Sequence, residues 1–195
     1  MTTKEKLLAL LEDSKGTFFS GEEIARTLQV SRAAVWKAVN ALREDGYTID
    51  AATNKGYRLS PDSDILSPQG IRRFLKPEYR DLDLTVLPTA PSTNALVREK
   101  ANQGCPEGCV IIAREQTAGR GRYGRQFFSP ADTGVYLSLL LRPTAYSPQQ
   151  ATCLTAAAAA AMCQAIEAVT GQQPGIKWVN DIFPVSYTHL TLPTT

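Results

Sequence analysis

A stretch rich in glycine and arginine has the residue types that point most directly to chemistry. Three glycines and three arginines fall within seven residues: Gly119, Arg120, Gly121, Arg122, Tyr123, Gly124 and Arg125. Glycine lets the backbone approach a ligand and adopt positive φ, and guanidinium groups offer forked donors to phosphate oxygens. We expect a loop that lacks a fixed shape until a negatively charged ligand orders it.

Other phosphate-binding and nucleic-acid interpretations of this loop are weaker. No Gly-Lys-Ser/Thr follows it, which excludes a P-loop, and the glycine spacing does not fit a Rossmann fingerprint. An arginine-rich tail that binds nucleic acid is the remaining alternative. It is disfavoured because the segment lies between two segments rich in Val, Ile and Leu, residues 109–114 and 135–141, which predict buried strands.

The cysteines and the single histidine add no catalytic pattern. Cys105, Cys109, Cys153 and Cys163 are too few for a disulfide scaffold and lack the Cys-x-x-Cys pairing or histidine company of a zinc site. His189 lies in an unusual C-terminal segment. The spacing therefore predicts reduced, structural cysteines, no metal site and no Cys/His nucleophile.

The elements of residues 1–60 predict a winged helix-turn-helix domain. Leucines at helical spacing favour a helix over 4–12, and capping residues Ser20 and Ser31 precede helices over 21–28 and 32–44. In the first of these capping sites, Glu23 has the spacing to complete a capping box with Ser20. Strands over 47–51 and 56–59, joined by a turn rich in Asn, Lys and Gly, complete the pattern.

The third helix and the hairpin offer residues suited to DNA. Short and cationic side chains near a helix N-terminus fit base edges and phosphates in a major groove, and a basic hairpin fits backbone phosphates. The candidates are Ser31, Arg32, Ala33, Trp36, Lys37, Asn40, Asn54, Lys55 and Arg58. With nine basic and eight acidic residues in this unit, a small protein-interaction module is the alternative.

Residues 61–66 form a polar linker, after which strands and helices alternate. The pattern predicts a short helix over 67–75, strands over 82–87, 109–114, 135–141 and 176–179, a helix from Ser92 to about residue 101, and a long alanine-rich helix opened by a cap at 147–150. We expect this helix to pack closely against a sheet. The fold class is α+β, with an incomplete mixed α/β domain over 67–184.

Bulk properties limit the class of protein. The chain has 195 residues, 43% of them hydrophobic and 21% charged, which is ordinary globular usage, and its net charge is only +2. A secretory signal is not evident, and the apolar runs are shorter than the ~20 residues that cross a bilayer. We expect a cytoplasmic protein without a membrane partner, and any nucleic-acid surface must be local.

A set of separate motifs resembles the biotin–protein ligases. The order is Ser92-Thr93-Asn94, Gln116, the arginine–glycine loop, Phe127-Phe128-Ser129-Pro130 and Lys177-Trp178-Val179-Asn180-Asp181. Each motif is weak alone, but their order and separation fit over roughly residues 1–182. With the winged helix in front, the chain resembles the bifunctional subgroup that also represses the biotin operon.

The resemblance implies a class II synthetase-like catalytic domain and a two-step reaction. Biotin and ATP, with Mg²⁺, form biotinyl-5′-adenylate, and the biotinyl group then passes to a lysine of a carboxylase's biotin carrier domain. By similarity the biotin site contains Ser92, Thr93, Asn94, Gln116, Arg120, Gly121, Arg122 and Lys177. Arg122 and Lys177 are the implied catalytic residues, and residues 119–125 form the loop over the adenylate.

The resemblance also implies partners. In the family, adenylate-bound protein dimerises through the central domain, and two winged helices then reach a palindromic operator. Two alternatives stay open: a biotin-responsive repressor without ligase activity, and a relative of the lipoate–protein ligases.

The chain departs from the family pattern in three places. Phe127 and Val179 stand where the family often has Trp and Pro. After Ile182 the family continues into further strands and a small C-terminal domain, whereas residues 185–195 have no counterpart and resemble a foreign junction. We therefore expect a truncated copy with an exposed sheet edge, poorly soluble or inactive as a ligase.

Overall fold

A computed structural model describes residues 1–121, 124–143, 147, 152–177 and 181–184. In it, each of the first three helices begins at a residue whose side chain caps the helix. Ser20 Oγ accepts from the Glu23 backbone N–H at 3.1 Å, and Ser31 Oγ from that of Ala34 at 3.2 Å, which confirms both predicted caps. A complete capping box forms instead at Thr2 and Glu5, a site the sequence analysis did not identify. The helices are α1 Thr3–Asp13, α2 Gly21–Leu28 and α3 Arg32–Glu44.

The three helices share one core with an antiparallel hairpin. Strands β1 (Ile49–Ala52) and β2 (Gly56–Leu59) pair so that Ile49 faces Leu59. The core includes Leu7, Leu11, Ile24, Val35, Val39, Leu42 and Leu59, all almost fully buried. The strand predicted over 47–51 begins later, because the Tyr47 N–H bonds to the Leu42 carbonyl and continues the turn after α3.

A short segment before α2 extends the hairpin. The backbone N–H groups of Phe19 and Tyr57 each donate to the other's carbonyl at 2.9 Å, which makes an isolated bridge beside β2. Gly56 lies at this bridge with φ of +93°, and a Cβ there would stand 2.1 Å from the Phe19 oxygen. Only glycine fits this close approach.

A helix at the domain junction packs on α1. Ser67 caps α4 (Pro68–Arg72) by accepting from the Gly70 N–H at 2.9 Å, and a 3₁₀ turn follows at Pro77–Tyr79. Ser67 also donates to Glu12, which is only 6% exposed. The helix ends earlier than the predicted 67–75.

A three-stranded sheet follows, in the order β3, β4, β5. Strand β3 (Leu84–Ala90) runs parallel to β4 (Val110–Gln116), and β5 (Tyr136–Leu139) runs antiparallel to β4. Helix α5 (Thr93–Asn102) connects the two parallel strands. This mixture of parallel and antiparallel pairing with helices confirms the α+β class.

The backbone contacts divide the chain into two units, residues 1–141 and 142–195, and the predicted 61–66 boundary lies inside the first. In the second unit, α6 (Thr152–Thr170) contacts a hairpin of β6 (Pro174–Lys177) and β7 (Asp181–Pro184). The predicted strand at 176–179 starts two residues earlier, and β7 was not predicted. Residues 148–150 of the predicted cap and the tail 185–195 lie outside the described residues.

The alanine-rich helix differs from expectation. Ala159 is buried, but Ala157, Ala158, Ala160 and Ala161 are exposed, so the predicted close packing does not extend along the run. The segment Cys153–Thr170 has a mean hydropathy of 1.4 and is long and apolar enough to cross a membrane. The expectation that every apolar run is too short to cross a membrane is therefore wrong for this segment, by a test of length and composition that core helices of soluble proteins also pass.

Candidate ligand-binding site

Two of the predicted motifs meet where the parallel strands end. Ser92 and Thr93 follow β3 at the start of α5, and Gln116 is the last residue of β4. The Thr93 backbone N–H donates to Gln116 Oε1 at 2.9 Å, and the Thr93 hydroxyl lies 3.2 Å from the same oxygen. Ligands of sheets with parallel strands bind beyond these carboxyl ends, so the geometry favours a site here.

The contact between Thr93 and Gln116 belongs to a larger polar network. Gln116 Nε2 donates to Ser129 Oγ at 3.0 Å, and the Ser129 hydroxyl donates to the Phe127 carbonyl at 3.1 Å. The Thr93 hydroxyl also lies 2.9 Å from that of Ser138. Thr93 and Ser129 are only 3% and 2% exposed, so buried hydrogen bonds fix the start of α5 and the segment around Ser129 to the end of β4.

Sequence reasoning missed two members of this network. Ser129 was part of a quoted motif but received no role, and Ser138 lies inside a segment interpreted only as a buried strand. The burial pattern of β5 alternates, and Ser138 lies among its less exposed positions. A polar residue at such a position of a strand was the available signal.

The base of the arginine–glycine loop pairs with itself. Arg120 forms a bridge with Gln126, and the Gly121 N–H donates to the Arg125 carbonyl at 2.8 Å. A Cβ on Gly119 would stand 2.6 Å from the Phe127 carbonyl oxygen, so the backbone fits closely only with glycine. The loop therefore has a defined base, in contrast to the expectation of no fixed shape, while Arg122 and Tyr123 lie outside the described residues.

A groove of about 490 Å³ opens between this loop and the start of α5. Its volume lies within the range of small-molecule sites. It is lined by Pro91, Ser92, Asn94, Ala95, Arg98, Ala118, Arg120, Gly121 and Gly124. Two guanidinium groups, an amide and the N-terminal end of a ten-residue helix suit an anionic ligand. Arg98, on the first turns of α5, was not among the predicted site residues.

A second groove of about 660 Å³, lined mainly by apolar and aromatic residues, lies next to Gln116. Its lining comprises Gln116, Phe127, Phe128, Pro130, Thr133, Gly134, Val135, Tyr136 and Leu137. Phe128 is 83% exposed and Phe127 53%, so the two rings cover it only loosely. The Tyr136 hydroxyl donates to the Pro130 carbonyl at 3.0 Å, which fixes that ring at the groove wall. Gln116 thus lines this second groove, and Ser92 and Asn94, on either side of its partner Thr93, line the first.

The implied catalytic pair is only partly described. Lys177 is the last residue of β6, is exposed, and pairs in register with Asp181, the first residue of β7. Arg122, Trp178, Val179 and Asn180 lie outside the described residues. Lys177 belongs to the second unit, and its role stays a prediction.

The candidate DNA surface is a separate groove of about 720 Å³ between α3 and the hairpin. Arg32, Ala33, Trp36 and Asn54 line it, and Trp36 is 58% exposed. Ser31 and Lys37 are also exposed, while Asn40 is half-buried.

Two of the hairpin cations differ in their environment. Arg58 forms an ion pair with Asp50 at 2.8 Å and lies 4.7 Å from the centre of the Phe18 ring. Lys55 lies 6.0 Å from the same ring, and the structure records no ion pair for it in the described part of the chain. Lys55 is therefore the hairpin cation better placed to contact phosphate.

Comparisons with known proteins find matches both for the N-terminal helices and hairpin and for the domain that follows them. A model of an HTH domain matches residues 3–58, and the model of the biotin/lipoate A/B protein ligase family matches residues 86–184. The chain is 42% identical over 181 residues to the bifunctional ligase/repressor BirA of Bacillus subtilis, a match that covers 93% of this chain and 55% of that protein. The protein of the same name from Escherichia coli is 33% identical over 182 residues, covering 93% and 54%.

A solved structure is also similar. The biotin protein ligase from Aquifex aeolicus in complex with biotin and ATP is 29% identical, with a TM-score of 0.43, over 52% of this chain and 41% of that one. The chain spans about half the length of the curated relatives it matches. Since the ligase model covers half of the chain, the chain belongs to the biotin/lipoate A/B protein ligase family, and it carries an N-terminal HTH domain.

Proposed function

We propose that the protein to which this chain belongs is a cytoplasmic biotin–protein ligase that also represses the biotin operon. The observation that carries the ligase proposal is a groove at the ends of two parallel strands, lined by Ser92, Asn94, Arg120 and Gly121, beside the contact between Thr93 and Gln116. Their arrangement combines apolar surface with anion-binding groups, as an acyl-adenylate requires.

In the first step a biotin carboxylate oxygen attacks the α-phosphorus of ATP. The bond from that phosphorus to the bridging oxygen breaks, and pyrophosphate leaves with the electron pair. Arg120 would bind the phosphate oxygens. By family resemblance alone, Arg122 would also bind them, and Lys177 would stabilise the charge that develops during attack. Mg²⁺ would enter with ATP and be held mainly by its phosphates, since the described lining of the anion-binding groove offers no carboxylate.

In the second step the amine of a lysine on a biotin carrier domain attacks the acyl carbon. An amide forms, AMP leaves, and the amine loses a proton. A mixed anhydride hydrolyses readily, so the loop over residues 119–125 would protect the adenylate from water.

Repression would follow from dimerisation of the adenylate-bound protein. Two copies of the α3 surface would then contact two operator half-sites, with Lys55 of each hairpin on the phosphates. Adenylate and operator would each raise the affinity for the other through this dimer.

Calorimetry with biotin and with lipoate tests the substrate class. We expect the whole protein to bind biotin and to bind lipoate much more weakly. Equal affinity for the two acids, or preference for lipoate, would reject a biotin ligase.

The substitution Arg122→Gly separates a ligase from a sensor that makes no adenylate. In the whole protein we expect it to release biotinyl-5′-adenylate, detected as biotin on lysines of unrelated proteins when ATP is present. If the unsubstituted protein forms no AMP or pyrophosphate from biotin and ATP, the repressor without ligase activity is the better assignment.

A further inference from the structure

Three side chains with metal-binding groups meet at the other end of the three-stranded sheet. One carboxylate oxygen of Asp83 and the sulfur atoms of Cys105 and Cys109 all lie within 4.8 Å of one another. Cys105 Sγ stands 3.7 Å from Asp83 Oδ2. The sequence predicted no metal site because the cysteines lack Cys-x-x-Cys pairing and a neighbouring histidine. Asp83 lies 22 residues before Cys105 and meets it only through the fold.

The backbone around this cluster is well defined. Asp83 directly precedes β3 and Cys109 directly precedes β4, and the Asp83 carbonyl accepts from the Val110 N–H at 2.8 Å. The Cys109 carbonyl accepts from the Leu140 N–H at 2.8 Å, and the Cys105 N–H donates to the Lys100 carbonyl at 3.0 Å. Hydrogen bonds from three elements thus fix the positions from which these side chains extend.

We propose that Asp83, Cys105 and Cys109 form a binding site for a soft divalent cation of the zinc class. Two thiolates and one carboxylate are a ligand set that such cations favour over Mg²⁺ or Ca²⁺. Ligands of a tetrahedral zinc lie about 3.3–3.8 Å apart. Cys105 and Asp83, 3.7 Å apart, already meet this, and the remaining separations need to close by at most about 1 Å. Asp83 is exposed, which leaves room for water as a fourth ligand.

A lysine competes with the cation. Lys100 Nζ donates to Asp83 Oδ2 at 2.7 Å, and this hydrogen bond lowers the pKa of the Asp83 carboxyl group, which keeps it ionised. A carboxylate has a second oxygen for a metal, but the ammonium repels a bound cation. Removing the Lys100 charge should therefore strengthen metal binding.

The Cys109 thiol is a poor candidate for nucleophilic catalysis. Cys109 is 1% exposed, and burial raises the pKa of its thiol to about 11. A protonated, buried thiol is a weak nucleophile, whereas a metal ion can displace its proton.

The cluster is separate from the groove proposed for biotin. Strands β3 and β4 each have seven residues, which at about 3.3 Å per residue separates their two ends by about 23 Å. A cation at the Asp83 end would link the residue before β3 to the loop between α5 and β4. Its role is structural, in addition to the proposed ligase chemistry.

Protection from alkylation tests the site in the full chain. With Zn²⁺ at one equivalent, we expect Cys105 and Cys109 to react with an alkylating reagent several-fold more slowly, as mapped by mass spectrometry. Cys153, which is exposed, and Cys163 serve as internal controls and should react at unchanged rates. Equal rates for Cys105 with and without Zn²⁺ would overturn the proposal.

Cd²⁺ titration of a Cys153→Ser/Cys163→Ser variant gives a second readout. We expect thiolate-to-metal charge-transfer absorbance that saturates at one Cd²⁺ per chain. Cys105→Ser or Asp83→Asn should weaken binding about tenfold or more, and Lys100→Met should strengthen it. Circular dichroism establishes that each variant is folded. Unchanged binding in Cys105→Ser, or absent charge-transfer absorbance in a folded protein, would contradict the assignment.

Discussion

Gln116 joins the two segments of the candidate site through a single side chain. Its carbonyl oxygen accepts from Thr93, and its amide nitrogen donates to Ser129. The sequence identified Gln116 and Thr93 only by resemblance, because nothing in their local pattern shows that they meet. Their contact depends on the parallel pairing of β3 and β4, which sequence periodicity does not specify.

Substituting Gln116 should lower stability as well as ligand binding. In Gln116→Ala we expect the free energy of unfolding to fall by about 1–3 kcal/mol, because partners in a partly buried network lose their hydrogen bonds. Gln116→Glu keeps the acceptor for Thr93 but not the donor to Ser129, so its loss should be intermediate. Denaturant unfolding measures both. Equal stability of Gln116→Ala and the unsubstituted protein would contradict the network.

Two glycines of the loop provide a matched comparison. A Cβ at Gly119 would lie 2.6 Å from the Phe127 carbonyl oxygen, whereas one at Gly121 would lie 3.5 Å from its nearest neighbour, the Arg125 carbonyl oxygen. Gly119→Ala should therefore lower the melting temperature by several degrees, and Gly121→Ala should change it little. Thermal unfolding of the two variants, followed by circular dichroism, tests this. Equal shifts would mean that the base of the loop is not held as the structure describes.

At the scale of elements, local patterns predicted the N-terminal unit more completely than the rest. Caps and apolar spacing located α1 to α3 and β2 within a residue or so of their observed bounds. The bridge from Phe19 to Tyr57 was missed, because it joins distant residues and leaves no periodic signal. Strand β7 was missed for a similar reason, since its partner β6 determines it.

The hairpin requires a glycine at position 56, and Gly104 is a control for the cost of replacing a glycine of positive φ. Gly56 and Gly104 both have positive φ, +93° and +85°, but a Cβ would meet the Phe19 backbone only at Gly56. We expect Gly104→Ala to cost about 1 kcal/mol of stability from backbone strain, and Gly56→Ala to cost more. Chemical denaturation gives both values. A smaller loss in Gly56→Ala than in Gly104→Ala would contradict the close approach.

The contact between α1 and α4 depends on a buried carboxylate. Glu12 accepts from Ser67 at 3.3 Å and lies 3.7 Å from Arg73 Nη1, whereas its neighbour Asp13 is exposed. Glu12→Ala should expose the 61–66 segment and speed its cleavage by a protease, because α4 loses its polar contact with α1. Asp13→Ala should leave the cleavage rate unchanged. Equal rates in the two variants would mean that Glu12 does not hold this junction.

At the scale of the whole molecule, one side of the sheet carries exposed apolar residues. Val135, Leu137, Leu139 and Leu141 are 44–62% exposed, and Phe128 is 83% exposed. A contiguous apolar surface of this kind favours association with other chains. Exposed core faces were expected from the family resemblance alone. The sequence did not show which residues would form them, because that depends on the pairing of β4 with β5.

Replacing exposed leucines should improve solubility. We expect Leu139→Thr/Leu141→Thr to raise the soluble fraction of the chain, because threonine keeps strand propensity and removes apolar surface. Ile111→Thr, at a position only 2% exposed, should lower it through loss of stability. Light scattering after purification compares the three proteins. A soluble fraction that Leu139→Thr/Leu141→Thr leaves unchanged would exclude this surface as the cause of association.

Hydrogen exchange of the chain with and without biotin and ATP tests the central claim most directly. Slower exchange of backbone amides is expected in residues 92–95 and 116–121, where the ends of β3 and β4 border the two grooves. Residues 31–40 of the HTH domain provide the internal reference and should exchange as before. Unchanged exchange at both strand ends, or slower exchange confined to other segments, would contradict a biotin site at this edge of the sheet.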